Sequence, residues 1–169
     1  MIRQPYCQLV EMKRWADRGL YEVIGENLGR LDKQETALLL QVLDHMHAVD
    51  QIFRSHLQGR PHSYRAAQSE TLPEFQALAD GVRETDDWYA DYVRGLSPGD
   101  FDESIDFVFT SGKPARMRRG EILLHVCLHG EYHRGNAGAV LYLKGVTPSR
   151  DSVTDFLEDT AQPPALNLA

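Results

Sequence analysis

The chain has 169 residues, 42% of them hydrophobic and 25% charged, with a net charge of −7 from 18 basic and 25 acidic side chains. That length and balance describe one soluble folded domain over residues 1–169, able to bury roughly 70% of its extended-chain surface without staples. The acidic excess argues against a nucleic-acid partner, which needs a basic stripe. The basic cluster Lys113–Arg119 reads as a solvated loop and strand edge.

The N-terminal stretch has no apolar core of a secretion signal, and no run approaches the roughly 18 apolar residues of a membrane span. A cytoplasmic protein with no membrane association is therefore expected. Cys7 and Cys127 have no metal or redox spacing, and nothing demands a disulfide between them.

The first predicted helix runs from about Pro5 to Leu28. Leu9, Val10, Met12, Trp15, Ala16, Leu20, Val23, Ile24 and Leu28 recur at the three-four spacing of one helical face. The second runs from about Lys33 to Leu57. Asp32 is its predicted N-cap and Glu35 completes a capping box, and Gly59-Arg60-Pro61 stops it. A third is expected from about Leu72 to Leu96, with Thr71 as N-cap and Pro73 and Glu74 in its first turn.

Ile105–Thr110 is rich in strand formers. The turn residues Ser111-Gly112-Lys113 and then Pro114–Arg119 complete a short predicted hairpin, which must pack on the helices to be stable. The fourth long helix runs from about Arg119 to Lys144, ended by Gly145 with Pro148 beyond. Asp155-Phe156-Leu157 suggests one more turn, and a loosely held tail is expected from about residue 158. Four long helices with one hairpin define an all-α bundle.

Histidines are abundant, seven in all. His129 and His133 stand at i and i+4, one turn apart on one helical face. With Ile122 at zero and about 100° per residue, Val126 falls near 40°, His129 near 340°, His133 near 20°, Ala137 near 60° and Val140 near 0°. Both rings lie along the apolar stripe and point inward. Buried imidazoles need partners, and one divalent metal ion satisfies both.

A third ligand must come from another helix. His45, His47 and His56 in the second helix are candidates. His45 lies nearer than His47, by roughly 40°, to the centre of the face formed by Leu39, Val42, Met46, Val49 and Phe53, whereas His56 sits about three turns further on. This selects His45. His125, one turn before His129, is a candidate outer hydrogen-bond partner. His62 reads as a loop histidine. Glu131 faces away from the stripe, and Cys127 reads as packing. No Gly-x-Ser-x-Gly, phosphate-binding Gly-rich loop or His-Glu-x-x-His is present.

The stretch Leu124-His125-Val126-Cys127-Leu128-His129-Gly130-Glu131-Tyr132-His133-Arg134-Gly135-Asn136 resembles the signature of the DinB/YfiT-like metalloenzyme family, in which His-x-x-x-His is followed by Arg-Gly and usually Gln. Leu43–Phe53 is similar to that family's other motif, a histidine five residues before an Asp and then an apolar-aromatic pair. This match also selects His45. Asp155 before Phe156 and Leu157 fits as well, so the resemblance covers nearly the whole chain. Asn136 departs from the usual Gln and bears only on an outer contact to a ligand.

The resemblance implies a four-helix bundle of up-down-down-up topology with a metal at one end, held by three histidines. The implied ligands are His45, His129 and His133, with His125 and Arg134 as weaker candidates for ligand support or anion contact. It implies nickel or zinc as the ion, with iron or manganese as alternatives, and frequent homodimers. It further implies thiol-dependent transferases or isomerases that use a low-molecular-weight thiol with a small-molecule substrate. Three neutral imidazoles leave the ion its full charge and an open position, suited to activating a thiol or a water. The alternatives are a metal-dependent hydrolase and a non-catalytic metal-binding or stress-response protein. The last is disfavoured because no fourth protein ligand is evident.

Overall fold

The computed structural model describes residues 3–161. It is mostly helical: α1 (Arg3–Asn27), α2 (Lys33–Leu57), α3 (Phe75–Gly95), α4 (Arg119–Leu143) and a short α5 (Val153–Thr160). An antiparallel hairpin, β1 (Ser104–Val108) and β2 (Pro114–Arg118), precedes α4, with Ile105 opposite Met117 and Phe107 opposite Ala115. No helix among the described residues is long and apolar enough to cross a membrane.

The capping chemistry of α2 forms as the sequence predicts. The Asp32 side chain accepts from the backbone N–H groups of Gln34 and Glu35, each at 2.9 Å, and Glu35 returns a contact to the Asp32 N–H. The helix α4 ends where Gly145 adopts φ +67°, letting the Val146 N–H reach back to the Leu141 carbonyl.

Two expectations are corrected. The helix α3 begins at Phe75, with an extended Glu74 at the cap position, rather than at Leu72 behind Thr71. Pro73 disfavours helical geometry at Leu72, which delays the start. At the C-terminus, Ser152 caps α5 at Asp155 and the helix continues through residue 158 to Thr160. Phe156 of α5 is buried with its ring edge-on to Trp15, and the Trp15 indole N–H donates to Asp159. The remainder of the predicted tail, from 162 onward, lies outside the described residues.

The helix α1 packs against α3 and α4, and α2 packs against the same two helices. The apolar interior has two layers. One contains Val10, Phe53, Tyr89, Ile122 and Val126 and takes Phe107 of the hairpin; the other contains Leu20, Ile24, Leu43, Leu78 and Leu141. The basic stretch 113–119 is matched on the hairpin's own surface. Arg116 pairs with Asp106 through two bonds of 2.6 and 2.8 Å, and Arg119 pairs with Glu103.

Between the two layers lies a buried ionic cluster. Lys13 Nζ contacts Asp17 at 2.7 Å, Asp50 at 2.8 Å and Asp86 at 2.6 Å. Arg134 joins it through Asp17 at 3.1 Å and reaches Asp151 at 2.7 Å. The cluster therefore draws on α1, α2, α3, α4 and the segment leading to α5. Sequence reasoning missed it, although Lys13 and Asp17 sit one turn apart among the apolar positions of α1 and so signal a buried pair.

Candidate metal centre

His45 lies midway along α2, and His129 and His133 lie near the middle of α4. These helices pack together with their apolar faces turned inward, which brings the three rings into one cluster. Ring centroids are 4.9 Å apart for His45 and His129, 4.7 Å for His45 and His133, and 4.5 Å for His129 and His133. One nitrogen from each lies within 4.8 Å of the others, and His45 Nε2 and His129 Nε2 are 3.0 Å apart. The cluster sits at mid-length of both helices rather than at an end, level with the ionic cluster between the apolar layers.

The segment 58–74 between α2 and α3 folds back along α2 and orients one ring. His45 Nδ1 lies 2.6 Å from the Ala67 carbonyl oxygen. A carbonyl only accepts, so Nδ1 carries the proton and Nε2 presents its lone pair to the cluster. The segment is pinned next door, where the Ser69 N–H and hydroxyl donate to the two oxygens of Asp44 at 2.9 and 2.6 Å. The sequence carries no signal for a backbone carbonyl in this role.

Burial, reinforced by the neighbouring His133 and His45 rings, holds His129 down to about 3. Burial and then His45 also lower His133. Neutral imidazole is the form that binds a metal. Nδ1 of His129 is buried without a partner among the described residues. On His133, Asn136 Nδ2 makes a long 3.4 Å contact with Nδ1, so the residue that departs from the family pattern does touch a candidate ligand.

Donor chemistry and spacing together suit one ion. Imidazole nitrogens favour zinc, nickel, copper and iron. Tetrahedral bonds of 2.0–2.1 Å place donors about 3.3 Å apart; the His45–His129 pair at 3.0 Å is near that spacing, and all three donors lie within 4.8 Å of one another. Among the described residues, this is the one group of three or more histidine, cysteine or acidic side chains close enough to share an ion. Three protein ligands leave a coordination position open.

The other sequence candidates fall elsewhere. His125 is exposed, with its ring 5.5 Å from His129 and 4.8 Å from Phe53. It borders the cluster by packing. Arg134 is turned into the ionic cluster, not toward the imidazoles, because Asp17 and Asp151 both claim its guanidinium. His47 packs on α3, where a Cβ at Gly81 would lie 2.9 Å from its Nε2, and burial lowers it to about 4. His56 stacks on Phe107 with ring centroids 4.5 Å apart. His62, in the 58–74 segment as expected, meets the edge of His56 at 5.2 Å. Cys127 is buried with a free thiol pushed up to about 12 by burial, in keeping with a packing role, and Cys7 is also free.

A helical protein with three inward imidazoles poised around one point defines a candidate metal-binding class. The family model of the DinB family matches residues 1–165, and the chain belongs to that family. No curated protein and no solved structure matches it.

Proposed function

We propose that this chain is a divalent-metal-dependent enzyme whose ligands are His45, His129 and His133, acting as a thiol S-transferase or isomerase on a small electrophile. The observation that carries this reading is the convergence of three imidazoles, one already held in the ligating tautomer by Ala67. A bound divalent ion would supply a Lewis acid with an open position, able to lower the pKa of a thiol or water that reaches it.

The chain's own residues prepare the ground. His45 is oriented by the 58–74 segment, and His129 and His133 stay neutral through burial. His125 stands beside His129 one turn before it, and Phe53 packs on His125 in turn. Zinc or nickel suits this donor set and iron is an alternative, whereas manganese, which prefers oxygen donors, fits it least well. Hydrolysis is the variant reading, because an open position also admits water.

The wider reading is one domain with α1–α4 as a four-helix bundle in up-down-down-up order. Its support is that α1 and α2 each pack on both α3 and α4. A cytoplasmic setting is supported by the two free thiols. A homodimer completes the proposal.

The test is metal analysis of the purified protein, followed by turnover of an epoxide or activated alkene with a panel of low-molecular-weight thiols. One ion per chain and thiol-dependent turnover that His129→Ala abolishes are the expected results. Bound metal with no thiol-dependent or hydrolytic turnover leaves a metal-binding protein without catalysis and overturns the enzymatic reading.

A further inference from the structure

A cavity of about 430 Å³ opens between α1 and α3, with its wall drawn from those two helices alone. The helices α2 and α4, which carry the imidazoles, contribute nothing to it. Its inner end borders the ionic cluster, because Asp17 and Asp86 both line it and both are buried. Phe75, Ala79 and Val82 form an apolar wall, and the Phe75 ring stacks near that of Tyr21 with centroids 5.8 Å apart. The volume lies in the range of small-molecule sites, which combine an apolar wall with a few convergent polar groups.

Two polar groups at the inner end have unused hydrogen-bonding capacity. Tyr21 is 8% exposed, and its hydroxyl is buried without a partner among the described residues. The hydroxyl feels both carboxylates: burial, then the charges of Asp17 and Asp86, raise it well above the usual phenol range. Asp86 is 3% exposed, binds Lys13 through Oδ1 and makes no other side-chain hydrogen bond among the described residues. An orphaned hydroxyl and a carboxylate able to accept more bonds therefore line one cavity.

Charge decides what the cavity suits. Lys13 and Arg134 are two cations against the carboxylates of Asp17, Asp50, Asp86 and Asp151. Surplus negative charge in a buried place takes up protons or a cation. The mouth has the same sign. Arg14 is matched by Glu11 and Asp87, and Arg83 by Asp80, which leaves Arg18 against Glu22 and Glu26. A metal ion does not suit the place, because among the described residues only the imidazole cluster brings three ligating side chains close enough to share one.

We infer that this cavity is a binding site for a small primary amine with an apolar body, separate from the imidazole cluster. The ammonium group donates to the Asp86 carboxylate and to the Tyr21 hydroxyl oxygen, and it offsets the surplus charge of the cluster. The body of the ligand lies along Phe75, Ala79 and Val82. The inference does not depend on which metal the imidazoles hold.

Phenethylamine is the test probe, with phenethyl alcohol and phenylacetate as neutral and anionic controls of similar shape. Isothermal titration into the full chain, with chelator present so that no ion captures the amine, is expected to give a Kd of about 1 mM or tighter, in keeping with a ligand of this size. The alcohol and the anion should bind at least about 10-fold more weakly, the scale of a charge-assisted hydrogen bond. Ala79→Phe, which fills the cavity from its apolar wall, and Asp86→Asn should each weaken the amine by at least about 10-fold, while His129→Ala leaves its affinity unchanged. Circular dichroism checks that each variant is folded, and Ala79→Phe decides alone if Asp86→Asn is not. Absence of amine binding at ten times the expected Kd overturns the site. Equal binding of the alcohol overturns the preference for a cation. Undiminished binding to folded Ala79→Phe, or loss of binding in His129→Ala, overturns the location.

Discussion

His45 Nδ1 lies 2.6 Å from the carbonyl oxygen of Ala67, a bond that ties a ring midway along α2 to an irregular segment well beyond that helix. The bond aims Nε2 at His129 and settles which nitrogen carries the proton. A ligand oriented in this way loses less freedom when an ion arrives than a free ring does.

Because the segment is held through Asp44 and Ser69, Ser69→Ala should loosen the His45 ring without removing a ligand. Metal affinity is expected to fall by about 10-fold, the lower end of outer-contact effects, while saturation stays at one ion per chain. Chelator-competition titration reads the affinity. A stoichiometry below one would mean that Ser69 does more than orient the segment.

Removal of a ring itself is a larger change. His45→Ala, His129→Ala and His133→Ala should each reduce affinity by more than about 100-fold, beyond what outer contacts cost. Elemental analysis after gel filtration should find almost no retained metal in any of the three. Retention by one variant would remove that residue from the ligand set.

Metal should also stabilise the fold by mass action. At an ion concentration about 100 times Kd, the gain is about 2.7 kcal/mol. Thermal melts with added zinc or nickel should therefore show a higher Tm than melts in chelator. The difference should vanish in His133→Ala, and a shift of equal size there would point to binding elsewhere.

The ionic cluster predicts a pH effect with a defined sign. Burial pushes Asp50 up to about 6, against the Lys13 attraction that lowers it, and burial raises Asp86 well above the usual carboxylate range. Asp17 moves the other way, held down by Lys13 and Arg134 despite its burial. For Asp50 the folded state binds a proton more tightly than the unfolded chain, whose value is about 3.9. Its stabilising contribution is thus complete below about pH 4 and is lost as pH rises through about 6, an effect of about 2–3 kcal/mol. Asp50→Asn removes this loss. The stability of the variant relative to wild type should grow between pH 4.5 and pH 7 in urea titrations, and a shrinking gap would contradict the assignment.

Lys13 is the cation that these carboxylates share. Lys13→Met should cost about 3–5 kcal/mol, because it strands buried charge. Adding Asp86→Asn should recover part of that loss, a coupling that simple loss of packing would not produce. Denaturation midpoints of the single and double variants measure it.

Much of this architecture was legible in side-chain order. Periodicity located the long helices, Asp32 and Glu35 marked the start of α2, and Gly145 marked the end of α4. The wheel positions of His129 and His133, with the choice of His45, identified the rings that meet. The start of α3 was misread because Thr71 and Pro73 carry helix-start chemistry, whereas the helix begins at Phe75, three residues after the expected Leu72. Arg134, in the His-x-x-x-His-Arg-Gly stretch, was a weaker candidate for ligand support or anion contact, and it pairs with carboxylates. One residue turns a helical side chain by about 100°, enough to deliver it to Asp17 instead. Ala67 was invisible for a different reason: its contribution is a main-chain carbonyl, which every residue type possesses.

The placement of Lys13 has a consequence for how the protein comes apart. It binds carboxylates from three helices, and Arg134 extends the same knot to a fourth and to Asp151. Lifting any one of these helices leaves a charge without its counterion in a dry interior. Partial opening is thereby penalised at every seam, so the central amides of α1 to α4 should exchange with deuterium only in the rare event that releases them all together.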